Sequence, residues 1–391
     1  MCIIGLLSGN LGTDNQIRGL IEKYCEKHDL KFSEEYILNG LDNIILHPKN
    51  FKYFIEFKKA VYNRIDQFIK NCEKIPLCVI LPLNHGLLSQ NENSDVDYMS
   101  FIVKESFLRH GIHIKTLVLA SNLYDYKNVD IIHICDHLLT QDDEIKLSND
   151  NYLKQKVIRT TGVPSNISYE KIKKLSAEPK YKEIFSKYKG KKTILFCLGG
   201  TSDNKAISFS IQDAIYLLNS ALEYRKYGYE VIFSNSPRTP SDVTDYLYEA
   251  CLNQKIDFFN AKKIAKNKYH ENNFRFYNGK YKEEFEKQTQ NIGNIYPAIL
   301  SVCQKVVYTW DSFSYTSDAS VIGITTLVYT GNKISILRSD CHKLYKICRD
   351  KSYILNLDED MCFVKKGYCI ETLPMEDICT QIVKEIDKRN I

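Results

Sequence analysis

ILFCLGG (194–200) is an apolar, β-type run that ends on two glycines; TSDNKAISF (201–209) follows as a loop, and a helix opens at Ser210. Glycines between a buried strand and a helix start let the backbone approach a ligand closely. Free N–H groups in a helix's first turn favour an anion there. The anion this predicts is a phosphate. Ser210-Ile-Gln-Asp213 has the spacing of a capping box. Thr201, Ser202 and Lys205 add hydroxyls and a cation to the loop, a set suited to a diphosphate. A plain tight turn would use the same glycines, so the reading depends on the neighbouring loops.

The next strand ends in SNSPRTP (234–240), which places Ser234, Arg238 and Thr239 one strand away at the same sheet edge. Arginine presents a planar fork that matches phosphate oxygens. Thr239-Pro240 predicts an N-cap followed by proline at the first helical position. A third corner is YTWDSFSYTSDAS (308–320): a strand, a loop with Asp311, Ser312 and Ser314, then a helix with Ser317 and Asp318 in its first turn. Carboxylates in such a place cap the helix or hydrogen-bond ribose hydroxyls.

Outward from these corners, strands alternate with helices along the whole chain. Strands are predicted at 2–7, 77–81, 114–119, 129–134, 157–160, 193–198, 230–233, 305–309 and 325–329, with helix-length segments between them. Alternation of this kind implies parallel sheets. At 391 residues the chain exceeds one hydrophobic core. It divides into an N-terminal domain (1–164), a Lys-rich connection (165–192) and a C-terminal domain (193–391) that closes with a helix. Each domain opens with a strand and a glycine-bearing loop. The class is therefore α/β, two Rossmann-like domains facing each other across a cleft, with ligands at the carboxyl ends of the strands.

The net charge of +5 is too small to indicate nucleic acid without a binding motif, so no nucleic-acid partner is expected. The thirteen cysteines contain no C-x-x-C pair and read as reduced thiols of a cytoplasmic protein. Neither a signal peptide nor a membrane span is predicted. The helix at 51–72 should bury Phe54, Ile55, Val61, Ile65 and Phe68 and leave a lysine face to solvent or to a membrane surface. Residues 254–290 read as a strand followed by a long basic and aromatic surface loop.

Seven stretches occur here in one order: NLGTDNQIRGL, VIRTTGVPSNIS, LGGTSDNKAISF, FSNSPRTP, NIYPAILSVCQKVVYTWDSFSYTSDAS, ILRSDCHKLYKICRDK and LPMEDICTQIVKEI. In that order they resemble the mitochondrial-fission Elm-type family, plant fission factors with many bacterial homologues, itself similar to glycosyltransferases of the GT-B fold. The chain departs from the family's pattern at Thr201, where proline is usual, at Asp318, where glutamate is usual, and at Trp310, where a small residue is usual.

The resemblance implies a metal-independent GT-B-type glycosyltransferase that takes a nucleotide-diphosphate sugar and needs no further cofactor. Its donor site would comprise Gly199, Gly200, Ser202, Arg238, Thr239, Asp311, Ser312, Ser314, Ser317 and Asp318, to which the reading of the glycine loop adds Thr201 and Lys205. Gly9, Gly12, Asp14, Asn15 and Gln16 would face it. The glycine-loop amides and Arg238 would stabilise the departing diphosphate. Asp14, His85, Asp136 and His137 are the candidate bases for an acceptor of unknown identity, because each follows a predicted strand or begins a loop. Two other readings stay open. One is a non-catalytic adaptor in organelle fission that docks a partner, or peripherally a membrane, through a vestigial cleft. The other is a sugar-nucleotide epimerase.

Overall fold

The computed structural model describes residues 2–7, 11–38, 52–72, 74–82, 92–200, 209–236, 238–259, 295–311, 313–331 and 339–389. His85, Thr201, Ser202, Lys205, Ser312, Gly9 and the loop at 260–290 lie outside the described residues.

The chain forms two compact units, Met1–Asn166 with Glu376–Ile391, and Ile167–Met375. Each is built on a six-stranded sheet with parallel pairing throughout. The first comprises β1 (Cys2–Leu6), β2 (Ile37–Leu38), β3 (Pro76–Leu81), β4 (Lys115–Val118), β5 (Ile131–Cys135) and β6 (Val157–Thr160), in the spatial order β2-β1-β3-β4-β5-β6. The second comprises β7 (Lys192–Cys197), β8 (Tyr229–Ser234), β9 (Asp257–Phe259), β10 (Lys305–Thr309), β11 (Thr325–Tyr329) and β12 (Leu355–Asn356), in the order β12-β11-β10-β7-β8-β9. Read from β9, that is the doubly wound order 3-2-1-4-5-6.

The closing helix, Ile378–Lys388, joins the first unit, although its place in the sequence put it with the second. Its buried face is Ile378, Cys379, Ile382, Val383 and Ile386. Lys27, the last residue of the helix Leu11–Lys27, and His28 just after it meet Asp387, and Arg389 donates to the carbonyls of Gln155 and Val157. The bond to Val157 occupies the backbone acceptor at the first residue of the edge strand β6. The Lys-rich stretch expected as a connection instead gives the second unit the helices Tyr169–Ser176 and Pro179–Phe185, which bury Ile172, Tyr181 and Phe185.

Within the first unit, Gly19 lies against the backbone of Ser165 and Asn166, where an added Cβ would stand 2.3 Å from the Ser165 carbonyl oxygen. Two of the stretches that carry the family resemblance meet there. The helix Lys52–Asn71 buries Phe57, Val61, Ile65 and Phe68. Ile55, expected inside, is 49% exposed: a position two residues from Phe57 points away from a face spaced at three and four.

His133 lies in the interior of β5. Its Nδ1 accepts the Ala120 N–H at 3.0 Å, which places the ring proton on Nε2, 2.8 Å from Thr160 Oγ1. Burial, and secondarily His137, pulls the imidazole down to about 3. An unfolded histidine titrates near 6.5. The stability held by the neutral ring is therefore complete above about pH 6.5 and drains as pH falls toward 3, by at most ~1.4 kcal/mol per pH unit. Denaturant midpoints between pH 7 and pH 5 are expected to fall more steeply in the wild type than in His133→Gln, which keeps one donor and one acceptor. Parallel slopes would assign the acid sensitivity elsewhere.

Candidate functional site

In the second sheet the chain leaves β7 for β8 and β9 on one side, then returns to β10, β11 and β12 on the other. The topological switch point of the sheet is thus above the carboxyl ends of β7 and β10. Register brings the strand ends level, since Cys197 pairs with Ser234 of β8 and with Tyr308 of β10. Three segments meet as a result: Leu198–Gly200, Arg238–Pro240 and Thr309–Asp311.

Their contacts form one connected set. The Gly199 N–H donates to Thr309 Oγ1 at 2.6 Å, and the Thr309 hydroxyl donates to Asp311 Oδ1 at 2.7 Å. The Gly200 N–H donates to Asp311 Oδ2 at 2.8 Å, and Arg238 Nη2 reaches the same oxygen at 3.1 Å. The Thr239 hydroxyl donates to the Gly199 carbonyl. The Asp311 side chain is 3% exposed and that of Arg238 44%, so the carboxylate forms the floor and the guanidinium is open to solvent. Burial pushes the Asp311 carboxyl above its ordinary range, against the opposing pull of Arg238, the Gly200 N–H and Thr309.

Both glycines are required by close approach. A Cβ on Gly199 would lie 1.8 Å from Asp311 Oδ1, and one on Gly200 would lie 2.1 Å from the Arg238 carbonyl oxygen.

These contacts revise several roles expected from sequence. The amides of Gly199 and Gly200 are directed at Thr309 and Asp311, so Arg238 is the donor the described corner holds out for an anion. Both Asp311 oxygens accept from the protein itself, which turns that carboxylate away from a ribose. Thr239 does not cap the following helix, because Pro240 occupies the cap position of Ser241–Asn253 and the threonine hydroxyl serves Gly199. The Ser210–Asp213 capping box forms as expected. Its carboxylate, which also accepts from Tyr329 at 2.8 Å, already balances the start of that helix.

Ser317 and Asp318 are buried in the second turn of the helix Phe313–Val321, whose early start moves them out of the first turn; Ser314 is near its beginning. Asp318 Oδ2 accepts from Tyr296 Oη at 3.4 Å, and Tyr296 in turn meets Tyr308 Oη at 2.9 Å. Sequence reasoning passed over Thr309. Its position as the last residue of a strand leading into an acidic loop was the available signal.

In the first sheet the switch point falls between β1 and β3, and buried Asp14 occupies the first turn of the helix after β1. Asp136 follows β5, two strands beyond β3. It is bound by Arg159 Nη2 at 3.0 Å and by the Thr161 hydroxyl at 2.9 Å, and Arg159 also pairs with Glu144. Both of its oxygens are thus engaged by side chains of its own unit. His137, next to it, is 3% exposed. A separate cavity of about 710 Å³ in this unit, between β6 and the closing helix, includes Arg159 among its lining residues but neither Asp14 nor Asp136.

The sheets and the corner define an α/β protein of two Rossmann-like units whose second unit carries a cationic switch-point loop. The model of a family described as mitochondrial fission ELM1 matches residues 111–272, a segment that holds three of the stretches on which the resemblance was drawn. No curated protein matches the chain at a significant level. Among solved structures, it is similar to a UDP-GlcNAc 2-epimerase from Neisseria meningitidis, with 13% identity and TM-score 0.47 over 100% of both chains. It is also similar to the ADP-heptose LPS heptosyltransferase II of E. coli, with 11% identity and TM-score 0.43 over 99% of this chain and 98% of that one. A glycosyltransferase from Rickettsia africae matches at 10% identity and TM-score 0.42 over 99% and 98%. Likeness at these scores decides no chemistry. Among the described residues, no helix is long and apolar enough to cross a membrane.

Proposed function

We propose that the chain is a GT-B-type glycosyltransferase that works without a metal and binds a nucleotide-diphosphate sugar at the switch point of its second unit. The observation that carries this reading is Arg238, half-exposed above the carboxyl ends of β7, β8 and β10 and tethered there by a buried carboxylate. A guanidinium so held stabilises the negative charge that develops on a departing diphosphate and costs no reorganisation in the transition state. Of the acceptor-side candidates, Asp14 is the one at the switch point of the first sheet, in the first turn of the helix after β1.

Calorimetry of the full chain with UDP-, ADP- and GDP-sugars and their free diphosphates tests the reading. At least one is expected to bind, and Arg238→Gln is expected to weaken it about 10- to 100-fold, the worth of a charge-assisted phosphate contact. No binding of any of them at millimolar concentration would refute the reading.

The adaptor alternative has an observation of its own. Ile55 on the helix Lys52–Asn71 and Phe101 and Leu108 on the helix Glu92–Leu108 are exposed apolar residues in a region that also carries Lys58 and Lys59. Liposome or partner binding that survives Arg238→Ala and Asp311→Ala, with no nucleotide bound, would favour it.

A further inference from the structure

The carboxylate beneath Arg238 poses an electrostatic puzzle. A site that only attracts phosphoryl oxygens gains nothing from an anion within 3.1 Å of its cation. Asp311 is also almost closed to solvent, so a ligand cannot reach it directly. Among the described residues its oxygens meet Thr309 at Oδ1, and Gly200 and Arg238 at Oδ2. Thr309 is itself fixed, since its oxygen accepts the Gly199 N–H while its proton goes to Asp311. The direction of each bond in the chain is thereby determined, and the carboxylate is held in one orientation.

What such an anion supplies is orientation. An unanchored arginine loses rotamer freedom when it binds a phosphate, whereas one already held by an edge nitrogen presents its remaining donors in a set direction.

We propose that Asp311 is a positioning residue that fixes the Arg238 guanidinium for phosphoryl oxygens, and that Thr309 holds the Asp311 carboxylate in place. The proposal rests on the reading of this corner as a diphosphate site. It carries a sign that distinguishes it from simple electrostatics. Removal of the negative charge should weaken anion binding, whereas charge counting alone says it should strengthen it.

The test uses the full chain with inorganic pyrophosphate, which needs no choice of base, and with UDP-glucose, ADP-glucose and GDP-mannose. Asp311→Asn is expected to weaken binding roughly three- to tenfold, and the double variant with Arg238→Gln should bind no worse than Arg238→Gln alone, because one residue acts through the other. Thr309→Val should show part of the loss and Thr309→Ser should restore it. Tighter binding by Asp311→Asn, or losses that multiply in the double variant, would overturn the proposal.

A ligand-free measurement keeps it separable from the diphosphate reading. In ¹⁵N spectra of arginine side chains, the Arg238 signal, assigned by its loss in Arg238→Gln, should show slow guanidinium rotation in the wild type and fast rotation in Asp311→Asn. Fast rotation in a folded wild type would overturn the tether. Slow rotation without binding of any probe would retain the tether and refute the diphosphate reading.

Discussion

Lys305→Met is expected to destabilise the second unit by about 3–5 kcal/mol, the cost of leaving one partner of a buried ion pair uncompensated. Lys305 opens β10, and its Nζ lies 2.6 and 2.7 Å from the two oxygens of Asp360 on the helix Leu357–Lys365. The side chains are 2% and 0% exposed. Tyr224 Oη donates to the same carboxylate at 2.6 Å, and desolvation with the nearby Asp360 charge raises that phenol far above its ordinary range. With the ammonium gone, Asp360 must stay charged in an apolar core or take up a proton. The triple variant Lys305→Met, Asp360→Leu, Tyr224→Phe removes all three polar groups and should recover most of the loss. Denaturant titration of the variants measures both effects; a loss below about 1 kcal/mol for Lys305→Met would show that water or rearrangement rescues Asp360. The pair is at the amino end of a five-residue strand and the candidate site at its carboxyl end, about 13 Å away. Pyrophosphate affinity of the folded variant should therefore match the wild type.

The contrast between those two ends explains how much could be read from the sequence. Apolar runs such as VVYT and ILFC mark β10 and β7 because buried parallel strands need continuous β-type residues. Their carboxyl ends are visible too, since glycine and hydroxyl residues break the pattern there. β2 and β12 went unread because two-residue edge strands leave no periodicity to detect. The destination of the closing helix was hidden for another reason. Its apolar face is plain in ICTQIVKEI, but which unit buries it depends on tertiary contacts with the helix Leu11–Lys27 and β6.

At the site, Gly199, Gly200, Arg238, Thr239 and Asp311 do converge, as the spacing of strand and loop implied. Their roles did not follow from spacing. A strand end fixes where a loop begins, whereas the donors that Asp311 accepts depend on the register between β7 and β10. Lys305 and Asp360 look like ordinary surface charges in sequence, and only burial marks them as a pair.

Gly200→Ala is expected to disrupt the corner more severely than any side-chain truncation in it. The added methyl would stand 2.1 Å from the Arg238 carbonyl oxygen, 2.2 Å from its carbon and 2.6 Å from its Cβ. Two of these atoms are backbone, so no rotamer change relieves the contact, and the 238 segment must shift by on the order of 1 Å to reach ordinary van der Waals separation. Displacing Arg238 by that much should cost most of its phosphate contact, about 10- to 100-fold in affinity. The overpacking itself should cost about 1–3 kcal/mol of stability. Gly199→Ala meets a different neighbour, the Asp311 carboxylate, which a side-chain rotation can move aside. That variant should therefore behave as a loss of the tether, with pyrophosphate affinity near that of Asp311→Asn and with faster Arg238 rotation. The order of affinities expected by calorimetry is wild type, then Gly199→Ala with Asp311→Asn, then Gly200→Ala. Wild-type affinity in a folded Gly200→Ala would mean that Arg238 can leave its place without consequence, and that the anion is met by some other group.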